Sequence, residues 1–239
     1  MRVFAALALI AAMTLVACSG LFRPYEYEEE MYLSLDGTAT VYVNASVAAL
    51  DALRGTSFDP NPDAEIDRHG VRDYFSSPVT RVARVSSSRR SNRRFVHVRL
   101  DVDDVTRLDE AAPFAWSSYR FKRDGNLYLY LQTVGASARK DVGNVGWTGR
   151  ELVGFRLHLP SKITYQNTGP PKRGNILVWE QTLDERLRGA PLTLDARMET
   201  QSILYRTLWL FGATFLAVAA TFGLVIWWVL RRGSKTAGT

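Results

Sequence analysis

The 239-residue sequence predicts an α+β fold, a mostly antiparallel sheet with two or three short helices, followed by one C-terminal transmembrane helix. Three observations carry this. Runs of Val, Leu and Tyr alternate repeatedly with polar residues at the period of a half-buried strand. Asp36-Gly37 and Asp124-Gly125 stand between such runs, where Asp-Gly is a strong hairpin signal. Finally, Thr207 to Leu230 is apolar and holds no charge. At about 1.5 Å per helical residue this run reaches about 36 Å, enough to cross a hydrocarbon core of about 30 Å with some tilt.

In chain order, Tyr25 to Val43 reads as a hairpin turning at Leu35-Asp36-Gly37-Thr38. Ser46 is a good N-cap for a helix through Val47, Leu50 and Leu53 that stops at Gly55. After Pro60 and Pro62 a second helix is expected over Asp63 to Phe75, with Gly70 as its weak point and Ser77-Pro78 as its end. Val79 to Ser86 and Phe95 to Val102 form a strand pair around a tip of Ser, Arg and Asn. A short helix is expected over Asp104 to Ala112. Tyr119 to Phe121 and Leu127 to Leu131 make a third hairpin, with Leu127, Leu129 and Leu131 on one face and Tyr128 and Tyr130 on the other. Residues 135 to 150 read as a mobile loop. Strands follow at Leu152 to Leu159, Lys162 to Gln166, Ile176 to Leu183 and Leu192 to Glu199, interrupted by the Pro170-Pro171 loop and a turn at Arg188-Gly189.

The two ends of the chain point to a membrane. Arg231, Arg232 and Lys235 follow the apolar run and only Arg206 precedes it closely, so the positive-inside bias places the C-terminus in the cytoplasm and the preceding residues outside. Trp209 and Trp227-Trp228 sit where aromatic rings meet the headgroups. Residues 1 to 17 have Arg2 and then an apolar stretch, the anatomy of a secretory signal peptide. Leu15-Val16-Ala17-Cys18 resembles the lipobox of bacterial lipoproteins. That resemblance implies a diacylglycerol on Cys18, the only cysteine in the chain. With a single cysteine the exported domain has no internal disulfide and depends on its core. The expected organisation is a signal peptide at 1–17, a lipidated linker at 18–24, an exported domain at 25–202, a transmembrane helix at 203–232 and a cytoplasmic tail at 233–239.

The formal net charge of +6 suggests a nucleic-acid binder only until the charges are placed. Without Arg2, Arg206, Arg231, Arg232 and Lys235 the chain holds 25 basic and 24 acidic residues, so the exported part is nearly neutral and no nucleic-acid partner is expected. One window stands out: Arg81, Arg84, Arg89, Arg90, Arg93, Arg94 and Arg99 lie in a stretch without an acid between Asp73 and Asp101. These seven are candidate contacts for anionic headgroups, where each basic side chain is worth about 1 kcal/mol near the surface. Arginines at a hairpin also discourage edge pairing between molecules.

Catalytic templates are missing. The three histidines, His69, His97 and His158, have no second ligand type at a metal-site spacing, and His97 and His158 read as surface residues opposite the apolar side of their strands. There is no His-Glu-x-x-His, Gly-x-Ser-x-Gly or Walker pattern. Asp101, Asp103 and Asp104 fail the EF-hand order at Val105 and Thr106, and suit a strand end and a helix start instead. Gly143, Gly146 and Gly149 follow no strand that opens into a helix. No enzyme activity, metal or cofactor is expected.

The layout resembles the LppM-like family of bacterial membrane lipoproteins. The features that carry this are Cys18, the hairpin around Asp36-Gly37 followed by the Val47 to Leu53 helix, and Asn175-Ile176-Leu177-Val178-Trp179 leading through a last strand into the span. The resemblance implies a module that binds lipid or glycolipid. The arginine hairpin and the loop 135 to 150 lie outside its pattern. The function expected is therefore a non-enzymatic envelope lipoprotein that binds membrane lipid or an envelope partner. The alternative is a structural or assembly subunit acting through its span, where Ala213, Ala217, Ala219 and Gly223 let a partner helix approach.

Overall fold

The structure, a computed structural model, describes residues 25–169 and 174–236. Cys18, the leader 1–17, the linker 18–24, Pro170-Pro171 and residues 237–239 lie outside the described residues.

Strands β1 (Tyr25–Leu33) and β2 (Ala39–Ser46) form the expected hairpin, and Gly37 supplies the positive φ of 88° that its turn requires. Helix α1 (Val47–Arg54) begins and ends where the sequence places it. Ser46 Oγ accepts from the Ala49 amide at 3.0 Å, and Gly55 closes the helix in the left-handed region with its amide on the Asp51 carbonyl. Leu50 and Leu53 are fully buried, each contributing about 2 kcal/mol of apolar transfer. Helix α2 (Arg68–Phe75) is shorter than expected. Asp59 and Asn61 hold the preceding chain in two successive side-chain turns, and Asp67 caps the helix by accepting from the Gly70 amide at 2.9 Å. A Cβ at Gly70 would stand 2.4 Å from Asp67 Oδ2, so the glycine is a condition of the cap rather than a flaw in the helix.

Strands β3 (Thr80–Arg90) and β4 (Arg93–Val102) run further than expected, to a two-residue turn in which Ser91 and Asn92 both have positive φ, 49° and 55°. The helix expected over Asp104 to Ala112 is instead two 3-10 segments, Val105–Glu110 and Ala112–Phe114, because Pro113 interrupts the helical hydrogen bonding. Asp104 caps the first of them through the Thr106 amide, which accounts for that acidic residue. Next come β5 (Ser117–Asp124), β6 (Leu127–Val134), β7 (Leu152–His158), β8 (Ser161–Gln166) and β9 (Ile176–Thr182). An unexpected short helix, α3 (Leu183–Leu187), precedes β10 (Leu192–Ser202). Helix α4 (Ile203–Thr236) follows directly, and within it Ile203–Trp228 is long and apolar enough to cross a membrane.

The strands make two sheets. The six-stranded sheet has the order β3-β4-β2-β1-β7-β9, antiparallel except for the β1-β7 pair, and the four-stranded sheet has the order β5-β6-β10-β8. Their inner faces share one core: Val41, Val43, Val98 and Leu100 from the larger sheet join Tyr130, Leu194 and Met198 from the smaller, with Leu50, Phe75 and Phe114 between them. The tyrosine face of β6 turns inward, while Leu127, Leu129 and Leu131 lie half-buried on the outside.

The chain enters and leaves at opposite ends. Tyr25 opens β1 beside the β3-β4 turn, where the Arg90 guanidinium donates to its carbonyl. At the other end of β1 lie His158 and the start of β8. There Ser161 pairs with Ser202, and the Ile203 amide donates to the Pro160 carbonyl at 3.0 Å. Helix α4 therefore leaves from the end of the sheets remote from Tyr25.

Candidate functional site

Of the seven arginines singled out by the sequence, five bond to groups of the domain itself. Arg93 is the most enclosed: its guanidinium lies 2.9 Å from the buried Glu26 carboxylate and also donates to the Val145 and Gly146 carbonyls. Arg94 donates to the Ala64 carbonyl. Arg90 covers the ring of the buried Phe95 at 4.4 Å while holding Tyr25. Arg89 reaches Asp63 at 3.2 Å and Asn92 at 2.8 Å, and Arg81 pairs with Asp101 at 3.5 Å. Arg84 and Arg99 are different. They face each other across β3 and β4, both are exposed, and among the described residues neither has a carboxylate partner.

The loop 135 to 150 is tied down, contrary to the expectation of mobility. The Ala138 and Lys140 amides donate to the Leu53 and Ala52 carbonyls, and Lys140 Nζ donates to the Thr56 carbonyl at 2.5 Å. Trp147 Nε1 donates to Glu26 at 3.1 Å. Glu26 thus gathers the arginine hairpin and the loop on one buried carboxylate, which is 1% exposed.

The outer face of the six-stranded sheet carries a polar ladder from β3 to β7. His97 bonds Ser88 Oγ through Nε2 at 2.8 Å and Asn44 Oδ1 through Nδ1 at 2.9 Å. Because the Asn44 amide group already donates to Glu28, its oxygen faces the histidine, so Nδ1 carries the proton. Burial first, and then Arg90, hold the His97 pKa below its ordinary value, so the ring is neutral at pH 7. The ladder continues from Glu28 to Arg156 at 2.8 Å and from Arg156 to Glu30 at 3.7 Å. Glu30 also meets His158 Nε2 at 2.7 Å, and His158 stacks on Tyr32. The hydrogen bond from His158 is the main cause holding the Glu30 carboxyl below its usual range. His97 and His158 do face away from the core, but both are anchored members of this ladder.

On the inner side, Glu29 is 4% exposed and pairs with Arg54 at 2.6 Å, accepting also from Tyr27 Oη at 2.6 Å. The Arg54 guanidinium stacks on the Trp116 ring. Burial raises the Glu29 pKa above the usual carboxylate range against the opposing pull of Arg54. Nothing in local spacing signalled this pair, because its members lie 25 residues apart on a strand and a helix. Among the described residues no group of three or more His, Cys, Asp or Glu side chains has the geometry to hold a metal.

The domain is thus an α+β module of two sheets joined to a membrane-length helix, with a network of paired charges over the larger sheet. No protein-family model and no curated protein matches the sequence. Among solved structures, the chain is similar to the NMR structure of the folded domain of LppM from Mycobacterium tuberculosis. The two are 12% identical with a TM-score of 0.42 over 74% of this chain and 92% of that one, a distant structural resemblance.

Proposed function

We propose that this is a non-enzymatic envelope lipoprotein, anchored through Cys18 and through α4, whose exported domain lies lengthwise against the bilayer and contacts its lipids. The observation that supports this reading is the placement of the two chain exits. From Tyr25 to Leu33, β1 spans about 26 Å at about 3.3 Å per residue, and α4 departs from the far end. The seven steps from Cys18 to Tyr25 reach about 25 Å when fully extended. A domain standing upright on α4 would stretch that linker to its limit, so a relaxed linker tilts the domain until the Tyr25 end meets the headgroups. That tilt carries the β3-β4 turn to the surface, where Arg89 and Arg90 beside the turn are exposed while Arg93 and Arg94, across from them, are half-buried. The membrane lipids are the partner, and an envelope protein resting on the same face is compatible with this geometry.

The experiment is to place a fluorophore on a Ser91→Cys variant of the acylated full-length chain in proteoliposomes and measure its quenching by headgroup-labelled lipid. Strong quenching is expected, with marked loss when Cys18 is also changed to Ser and the fluorophore attached before reconstitution. A label that responds only to aqueous quencher in both proteins refutes the lengthwise orientation. An unmodified Cys18 by mass spectrometry refutes the lipid anchor.

A further inference from the structure

We propose that the cleft between Arg84 and Arg99, on the outer face of the six-stranded sheet, is a binding site for a phosphate-bearing anion. The cleft has a volume of about 320 Å³ and is lined by Tyr42, Arg84, Ser86, His97, Val98 and Arg99. Its defining feature is a break in strand register. Regular pairing would follow Val82 opposite Leu100 with Ala83 opposite Arg99 and send Arg84 inward. A bulge at Ala83 instead sets Arg84 directly across from Arg99 and leaves Val85 opposite Val98 in the core. Like charges facing one another across a strand pair destabilise it. The nearest carboxylate on this face, Asp101, pairs with Arg81, while Glu28 and Glu30 are engaged by Arg156 and His158. A negative charge between the two guanidinium groups offsets this repulsion, and their forked donors match the oxygens of a phosphate.

The rest of the cleft suits that ligand. The Arg99 guanidinium lies 5.9 Å from the Tyr42 ring centre, and Tyr42 and Ser86 in the lining carry hydroxyl groups able to donate. His97 forms a fixed floor, with both ring nitrogens bonded to Ser88 and Asn44 and no net charge at pH 7. The anion can be free phosphate or the phosphate of a lipid headgroup; the first does not depend on the membrane orientation proposed above.

The test uses the full chain in maltoside micelles, which contain no phosphate. Its melting temperature is followed by intrinsic fluorescence as inorganic phosphate replaces chloride at constant ionic strength. Wild type is expected to gain stability with phosphate, and Arg84→Gln and Arg99→Gln to need at least about tenfold more for the same gain, the effect of losing a charge-assisted contact. Both variants should also melt higher than wild type in chloride, since each removes a like-charge repulsion. Arg120→Gln, on the other sheet, should keep the full response. Micelles doped with phosphatidic acid separate the sources. Abolition of the free-phosphate response there identifies a lipid phosphate, and an undiminished response identifies the free anion. No response in wild type, or an equal one in both arginine variants, overturns the site.

Discussion

Replacing Arg54 by Met removes the cation from the most enclosed ion pair in the domain while keeping an apolar chain of similar length on Trp116. The Arg54 and Glu29 side chains are 2% and 5% exposed, so water cannot take the place of the missing guanidinium. Breaking such a pair from one side costs about 3–5 kcal/mol. Glu29 retains only the Tyr27 hydroxyl as a side-chain donor of those two, and escapes the remaining penalty by taking up a proton. Its folded-state pKa, already raised by burial, then stands far above the unfolded value of 4.5. For an acid raised in this way, stability is fully present below the unfolded pKa and is lost as pH rises. The variant should therefore regain about 1.4 kcal/mol per pH unit on acidification from neutrality toward pH 4.5. The assay is guanidinium unfolding of the full chain in neutral micelles at several pH values, read by tryptophan fluorescence. Glu29→Leu with Arg54→Met should recover most of the loss, since an apolar pair of similar volume replaces the ionic one. A loss under about 1 kcal/mol at pH 7 with no pH dependence would refute the reasoning, because it would mean that the pair is hydrated.

His97 gives the opposite slope: its pKa is depressed in the fold, so stability is lost as pH falls through the unfolded value of 6.5, and His97→Gln should flatten that part of the stability-pH curve. Glu26→Gln should cost about 3 kcal/mol by leaving the Arg93 charge enclosed, and hydrogen exchange should show the 135–150 segment losing protection before the sheets do. Gly70→Ala should change stability by less than about 1 kcal/mol, because displacing the Asp67 cap costs about as much as the better helix propensity of alanine returns, whereas in an Asp67→Ala background, with no cap to displace, the same change should stabilise by about 1 kcal/mol in thermal unfolding.

What the sequence conveyed was local. Helix α1 was legible at both ends because Ser46 and Gly55 are cap residues with backbone reasons for their identity. The hairpins were legible because each strand's partner lies a few residues away. Helix α3 escaped notice although Thr182 and Glu185 form a capping box, since five residues hold no hydrophobic period from which to detect a helix. The division into two sheets was not legible, because it depends on pairings such as Tyr25 with Leu152 that no local pattern encodes. The arginine window was visible as composition, but its partners Glu26, Tyr25 and Ala64 lie 67, 65 and 30 residues away, so the separation of enclosed arginines from Arg84 and Arg99 required the fold.

The parallel pairing of β1 with β7 also sets an order of events for a chain made from its N-terminus. Strands β1 to β4 can meander into place from residues 25 to 102, but the far edge of β1 stays open until residue 158 has been synthesised. An unpaired strand edge is a template for other nascent chains. On this one Glu28 and Glu30 project from the same face two positions apart, so that before β7 arrives the edge strand carries uncompensated negative charge that repels its own copies, while Glu26 is already paired with Arg93 of β4. When β7 docks, Arg156 and His158 engage Glu28 and Glu30, and the repulsion that kept the unfinished sheet solitary becomes part of what closes it.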